Sequence, residues 1–162
     1  MTGTGMYNHL LLPIDGSPTA QAAAQAGVAL ARRIGAHVTA LHVVPEPSRV
    51  GLDAWAHDDS HFAAKMAQEL ESRGKRYTAQ VREVARQAGV ACECRVARGA
   101  SPHAAILALA RETHCDLIVM GSHGASGQPP LLGSETLKVM TLGTIPVLVH
   151  YGARGVHPHL VA

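Results

Sequence analysis

At 162 residues the chain is long enough for one domain with a sizeable core. It is 47% hydrophobic and 16% charged but only 3% aromatic, so the core has to be built from Ala, Val, Leu and Ile. The formal charge of +2, with no Lys/Arg run beyond pairs such as Arg32-Arg33 and Lys75-Arg76, leaves no electrostatic footprint for nucleic acid, and no apolar stretch is long enough to span a membrane. Residues 1–6 have neither a basic nor an apolar block, so no secretory leader is expected. Three cysteines, an odd number, fit a reduced cytoplasmic setting better than a disulfide framework.

Strands and helices alternate along the chain. Residues 9–14 read as a first strand that ends at Asp15-Gly16-Ser17-Pro18, where Ser17 is a good N-cap and Pro18 a good first helical residue. The helix that follows carries Ala20, Ala23, Ala24, Gly27, Leu30, Ala31 and Ile34 on its packing side and closes at Gly35. Residues 37–44 read as a second strand, stopped at Pro45, and 45–60 as irregular. A long helix is expected over 61–88, with Phe62, Met66, Leu70, Tyr77 and Val81 at helical spacing and Gly74 as a point of kinking or breakage. Cys92 and Cys94 fall on one face of a third strand, residues 90–97, and read as a buried, inert pair. Ser101-Pro102 repeats the cap-then-proline device and opens a helix to residue 114, with Ile106, Leu109 and Ala110 toward the sheet. A fourth strand (116–120), a glycine-rich stretch, a short helix (135–140) and a fifth strand (146–150) complete the pattern, and residues 152–162 read as a flexible tail.

Alternation of this kind specifies an α/β fold with a doubly wound five-stranded parallel sheet, most simply in the order 3-2-1-4-5. The loops after strands one and four then lie side by side at the switch point, where such sheets bind ligands. The loop after strand four runs Gly121-Ser122-His123-Gly124-Ala125-Ser126-Gly127-Gln128-Pro129-Pro130-Leu131-Leu132-Gly133-Ser134. Glycines between a strand and a helix let backbone N–H groups approach an anion, and the helix N-terminus adds a partial positive charge. No Walker lysine accompanies it, and no Rossmann G-x-G-x-x-G or G-x-S-x-G elbow occurs at a suitable place. His57 and His61, four apart, are too few to make a metal site.

The glycine loop resembles the G-x2-G-x9-G-[ST] signature of the universal stress protein family. Gly121, Gly124, Gly133 and Ser134 match its fixed positions, with eight residues instead of nine between Gly124 and Gly133. Leu12-Pro13-Ile14-Asp15-Gly16-Ser17 is similar to the family's opening strand and turn, Cys115-Asp116-Leu117-Ile118-Val119-Met120 to its central strand, and Ile145-Pro146-Val147-Leu148-Val149 to its closing strand.

The resemblance implies an adenine nucleotide alpha hydrolase-like fold in a single domain over residues 1–162, with a core from 8 to 151. It implies ATP, with Mg²⁺, as the ligand. Pro13, Asp15, Val43 and Val44 would lie about the adenosine, and Gly121, His123, Gly124, Gly133, Ser134 and Thr136 would form the phosphate loop. It further implies a cytoplasmic homodimer joined through the last strand, in which the nucleotide is a regulatory ligand of a stress response. No residue is placed as a general base, so catalysis is not expected. The alternative is a member that binds no nucleotide and acts as a protein-interaction module, a reading favoured by the shortened loop with Pro129-Pro130 because each proline removes an N–H donor.

Overall fold

The computed structural model describes residues 5–46, 60–123 and 132–152. The first apolar run forms β1 (His9–Pro13), with four of its five residues buried. It is the central strand of a wholly parallel sheet completed by β2 (His37–Pro45), β3 (Cys92–Gly99), β4 (Leu117–Gly121) and β5 (Val147–His150). The order is β3-β2-β1-β4-β5, as the alternation and the switch-point rule predict. The crossovers are α1 (Pro18–Ile34), α2 (Ser60–Gln87), α3 (Pro102–Glu112) and α4 (Ser134–Leu142). Residues 47–59, within the stretch expected to be irregular, Gly124 and the tail beyond Gly152 lie outside the described residues.

The sheet has a core on each face. Leu10, Leu12, Val38, Ala40 and Val119 pack beneath α1 and α2, against Ala24, Val28, Val81 and Ala85. Leu11, Leu41, Ile118 and Met120 point the other way, against Ile106, Leu109, Ala110 and Val139 of α3 and α4. This follows from the period of two along each strand: consecutive residues belong to different cores.

Local chemistry sets the helix ends. Ser17 Oγ accepts the Ala20 N–H at 3.1 Å and Pro18 opens α1, a cap worth about 1 kcal/mol. At the far end of α3 the chain turns through His114, which adopts φ +53° without being glycine.

Three sequence expectations change. The long helix does not break at Gly74. A Cβ there would stand 2.6 Å from His42 Cδ2 and 3.1 Å from Val96 Cγ1, so the glycine is the place where α2 comes down onto β2 and β3. Phe62 and Met66 do not join the packing stripe; both are exposed, and α2 reaches the sheet at Gly74 and adds side chains to the core from Tyr77 onward. Cys92 and Cys94 are half-buried, not buried. Cys94 donates to Thr78 O, and burial, helped by Cys94, pushes the Cys92 thiol up to about 11, which keeps it unreactive.

At the N-terminal end of the sheet, away from the switch point, Asp116 accepts the N–H groups of Asn8 and His9. His9 is buried and stacks on His37 with ring centroids 4.0 Å apart. Its Nδ1 lies 3.0 Å from Thr113 O, which only accepts, so Nδ1 carries the proton and Nε2 accepts from the Thr39 hydroxyl at 2.7 Å. Burial, then the neighbouring His37, hold its pKa below the ordinary histidine value. The unfolded chain therefore binds this proton more readily, and stability is lost as pH falls below about 6.5 toward the folded value. Denaturant midpoints should drop between about pH 7 and about pH 5, and His9→Gln should flatten that slope.

Candidate functional site

The turn after β1 and the loop after β4 open side by side onto a crevice of about 460 Å³ at the C-terminal edge of the sheet. That size suits a ligand of nucleotide class. Its apolar wall is Val43, Ile106, Met120 and Pro13, on the face shared with α3 and α4. Its polar rim comes from Asp15, His123, Ser134, Glu135 and Thr136.

The rim is built by turns. Asp15 Oδ1 accepts the Ser17 N–H at 2.9 Å, an Asx-type turn that holds the carboxylate at the mouth and starts α1. Between them Gly16 takes φ +86°, and the Tyr77 ring lies where a side chain on Gly16 would go. On the other side Gly121 ends β4 against the first turn of α1. A Cβ at Gly121 would meet Thr19 Cγ2 at 2.9 Å and the Thr19 backbone at 3.2 Å. The Gly133 N–H donates to Ser122 O at 2.6 Å, which returns the chain beside β4 before α4 begins. The Thr136 hydroxyl, buried, donates to Gly121 O at 2.9 Å and ties α4 to the strand end.

Eight of the ten predicted site residues line this crevice: Pro13, Asp15, Val43, Gly121, His123, Gly133, Ser134 and Thr136. Val44 does not. It is one position on from Val43, faces the opposite side of the sheet and is 3% exposed. Gly124 lies outside the described residues. His123 is held at both ring nitrogens, by Thr19 Oγ1 at 3.2 Å and Ser122 Oγ at 2.9 Å, so it is a fixed part of the wall.

The structure adds residues that the sequence reading did not single out. His42 lies at the mouth, donates from Nδ1 to Ile14 O at 2.8 Å and meets Tyr77 edge-on at 5.3 Å. Ile106 and Met120 read in sequence only as core positions. Glu135 reads as an ordinary first-turn acid. In space it accepts both the backbone N–H and the Nδ1–H of His103, each at 2.9 Å, and so caps the start of α3 from the start of α4. Lys138 Nζ stands 3.1 Å from its other oxygen. Burial pulls the Glu135 pKa up, but the hydrogen bonds from His103 and Lys138 outweigh it and hold the carboxyl below its ordinary value. Proline spacing gave no hint that two helix starts would meet here.

Among the described residues no group of three or more His, Cys, Asp or Glu is placed to hold a metal ion. No helix among them is long and apolar enough to cross a membrane. A smaller cavity of about 240 Å³ between α1 and α2, lined by Gln21, Gln25, Gln80 and Tyr77, lies on the other face, away from Gly121, Gly133 and Ser134.

The model of the universal stress protein family matches residues 6–150. The chain is 35% identical over 147 residues to universal stress protein YxiE of Bacillus subtilis, covering 89% of this chain and 99% of the relative. It is 30% identical to universal stress protein MJ0531 of Methanocaldococcus jannaschii, covering 91% of this chain and 84% of the relative. Among solved structures, MJ0577 of the same organism superposes with a TM-score of 0.77 at 27% identity, over 92% of this chain and 99% of that one. An Archaeoglobus fulgidus universal stress protein in complex with dAMP shares the fold with a TM-score of 0.64 at 20% identity, over 89% of this chain and 98% of that one. A universal stress protein in complex with cAMP has a TM-score of 0.66 at 21% identity, over 91% of this chain and 98% of that one. A family match over nearly the whole described core, joined to the 3-2-1-4-5 sheet and the loop that Gly121 opens and Gly133-Ser134 close, leads to one conclusion: the chain belongs to the universal stress protein family.

Proposed function

We propose that this single-domain protein binds an adenine nucleotide in the crevice between the β1 turn and the β4 loop, as a regulatory ligand and not as a substrate. The observation that carries the reading is the crevice itself. An apolar slot formed by Val43, Ile106 and Met120 suits a flat base, and the start of α4 at Ser134 offers N–H groups and a positive helix end to a phosphate. The dAMP and cAMP complexes of proteins with this fold support the choice of base. A ligand of this kind acts only through its different affinity for two states of the protein, and the assembly state is the one the fold offers.

The same reading includes a cytoplasmic homodimer formed through β5. That strand is the sheet edge, and Leu148 on it is exposed, on the face of the sheet opposite α4, whose Leu137, Met140 and Leu142 are exposed as well. An open apolar edge is a template for pairing with a second copy. Leu148→Asp should convert the dimer to monomer in light scattering while leaving the circular dichroism spectrum unchanged. A wild-type protein that is monomeric at all accessible concentrations would remove this part of the reading.

Calorimetric titration of nucleotide-stripped protein with AMP, ADP and ATP, with and without Mg²⁺, tests the ligand. A dissociation constant of about 1–100 μM for at least one of them is expected. No heat and no thermal stabilisation with any would refute the reading and favour a protein-interaction module.

A further inference from the structure

The strand β3 forms the other edge of the sheet, and successive side chains on it point to opposite faces. Glu93 and Arg95, both exposed, share one face and make an ion pair at 2.8 Å, so side chains two apart on this strand come within bonding reach of each other. Cys92 and Cys94 have the same spacing on the other face, beneath α2, and both are half-buried. Cys92 packs against the core under α1 and α2, and Cys94 donates to Thr78 O of α2 at 3.2 Å. The Cys92 thiol donates to Glu93 O at 3.6 Å, the carbonyl of the residue between the two cysteines, so it is turned along the strand toward Cys94. The two thiols interact with each other, and the nearby guanidinium of Arg82, on α2, favours the thiolate of Cys92.

A direct disulfide fits this pair badly. Extended residues two apart have Cα atoms about 6.6 Å apart and nearly parallel Cβ directions, whereas a disulfide needs Cβ atoms about 3.8 Å apart. Closing it would bend β3 away from β2, with which it pairs from Cys92 to Gly99. An ion set between the sulfurs fills the gap instead, since two metal–thiolate bonds of about 2.3 Å reach across about 4.6 Å. Zinc lacks the further ligands it needs, because among the described residues no group of three or more His, Cys, Asp or Glu is placed to hold a metal. Monovalent copper selects soft thiolates and accepts two of them in a line. We propose that Cys92 and Cys94 form a two-coordinate site for a copper(I) ion at the β3 edge, on the face of the sheet opposite the apolar wall of the nucleotide crevice. On binding, both thiols release their protons to solvent and two copper–sulfur bonds form, with no change in the oxidation state of copper or sulfur. The bis-thiolate complex carries a net negative charge, which Arg82 offsets. In the free protein burial keeps the Cys92 thiol protonated, so it resists oxidation and gives up its proton to a cation that bonds sulfur strongly.

The test is anaerobic titration of the reduced full-length protein with copper(I), in competition with bicinchoninate. Wild type should take up a single ion per chain with an ultraviolet thiolate-to-copper band. Its affinity should rise about a hundredfold for each pH unit between about 6 and 8, because two protons leave. Cys92→Ser and Cys94→Ser should each lose at least about 100-fold in affinity, while Cys115→Ser, whose thiol is buried in the other core, should bind as wild type does. X-ray absorption on the copper-loaded wild type needs no variant and should show two sulfur neighbours. Absence of copper uptake, undiminished binding in either folded serine variant at positions 92 and 94, or displacement of the copper by equimolar zinc would overturn the proposal. So would nitrogen neighbours, which would place the ion among the 11 histidines.

Discussion

Replacing Gly16 by alanine is expected to destabilise the fold by about 2–4 kcal/mol. Two independent effects add. The residue sits at φ +86°, a region that costs an L side chain energy wherever it occurs. The new Cβ would also lie 2.3 Å from Tyr77 Cζ and 2.6 Å from its hydroxyl oxygen, so the ring must move off the turn. Tyr77 packs against the α1/α2 core and against His42, so its displacement is felt at the crevice mouth as well as in the core. Urea denaturation measures the loss, and a double-mutant cycle with Tyr77→Ala separates the two effects. The second substitution should recover the part due to collision and leave the part due to φ. An alanine variant as stable as wild type would show that this turn is not strained as described.

Gly121→Val should abolish nucleotide binding and cost about 2–3 kcal/mol of stability. The reason differs from that at Gly16, because Gly121 needs no unusual backbone angle. It is the closest approach between the end of β4 and the first turn of α1, and two of the three nearest atoms to an added Cβ are backbone, C and O of Thr19, which cannot rotate aside. Thr19 in turn holds His123 through its hydroxyl, and Gly121 O receives the Thr136 hydroxyl. Wedging α1 from β4 therefore disturbs the walls on both sides of the loop. Calorimetry with AMP and a thermal melt would be read together. Lost binding with near-wild-type stability would place Gly121 against the ligand itself, whereas intact binding would move the phosphate away from this glycine.

Much of this protein was legible from residue order alone. The apolar runs at 10–12 and 117–120, buried in full, announce strands covered on both faces. Ser17-Pro18 and Gly35 mark both ends of α1 through local geometry that needs no partner. Alternation then leaves few sheet orders, and the observed one follows from connection rules. For the same reason Pro13, Asp15, Gly121 and Ser134 were legible as neighbours in one crevice, since strand ends converge wherever the sheet reverses direction.

Other features were decided only when the chain folded. Gly74 carries a helix-breaking propensity, yet α2 passes through it unbroken, because the missing Cβ makes room for His42 and Val96, far away in sequence. Val43 and Val44 are alike as residues; the register of β2 against β1 aims the first at the crevice and the second at the opposite core. Glu135 and His103 are 32 positions apart, and neither carries a local signal of the other. Sequence determines what depends on bonded neighbours: period, caps, turns and the supply of apolar residues. Tertiary structure decides what depends on through-space distance, here that Glu135 at the start of α4 meets His103 at the start of α3 on the rim of the crevice.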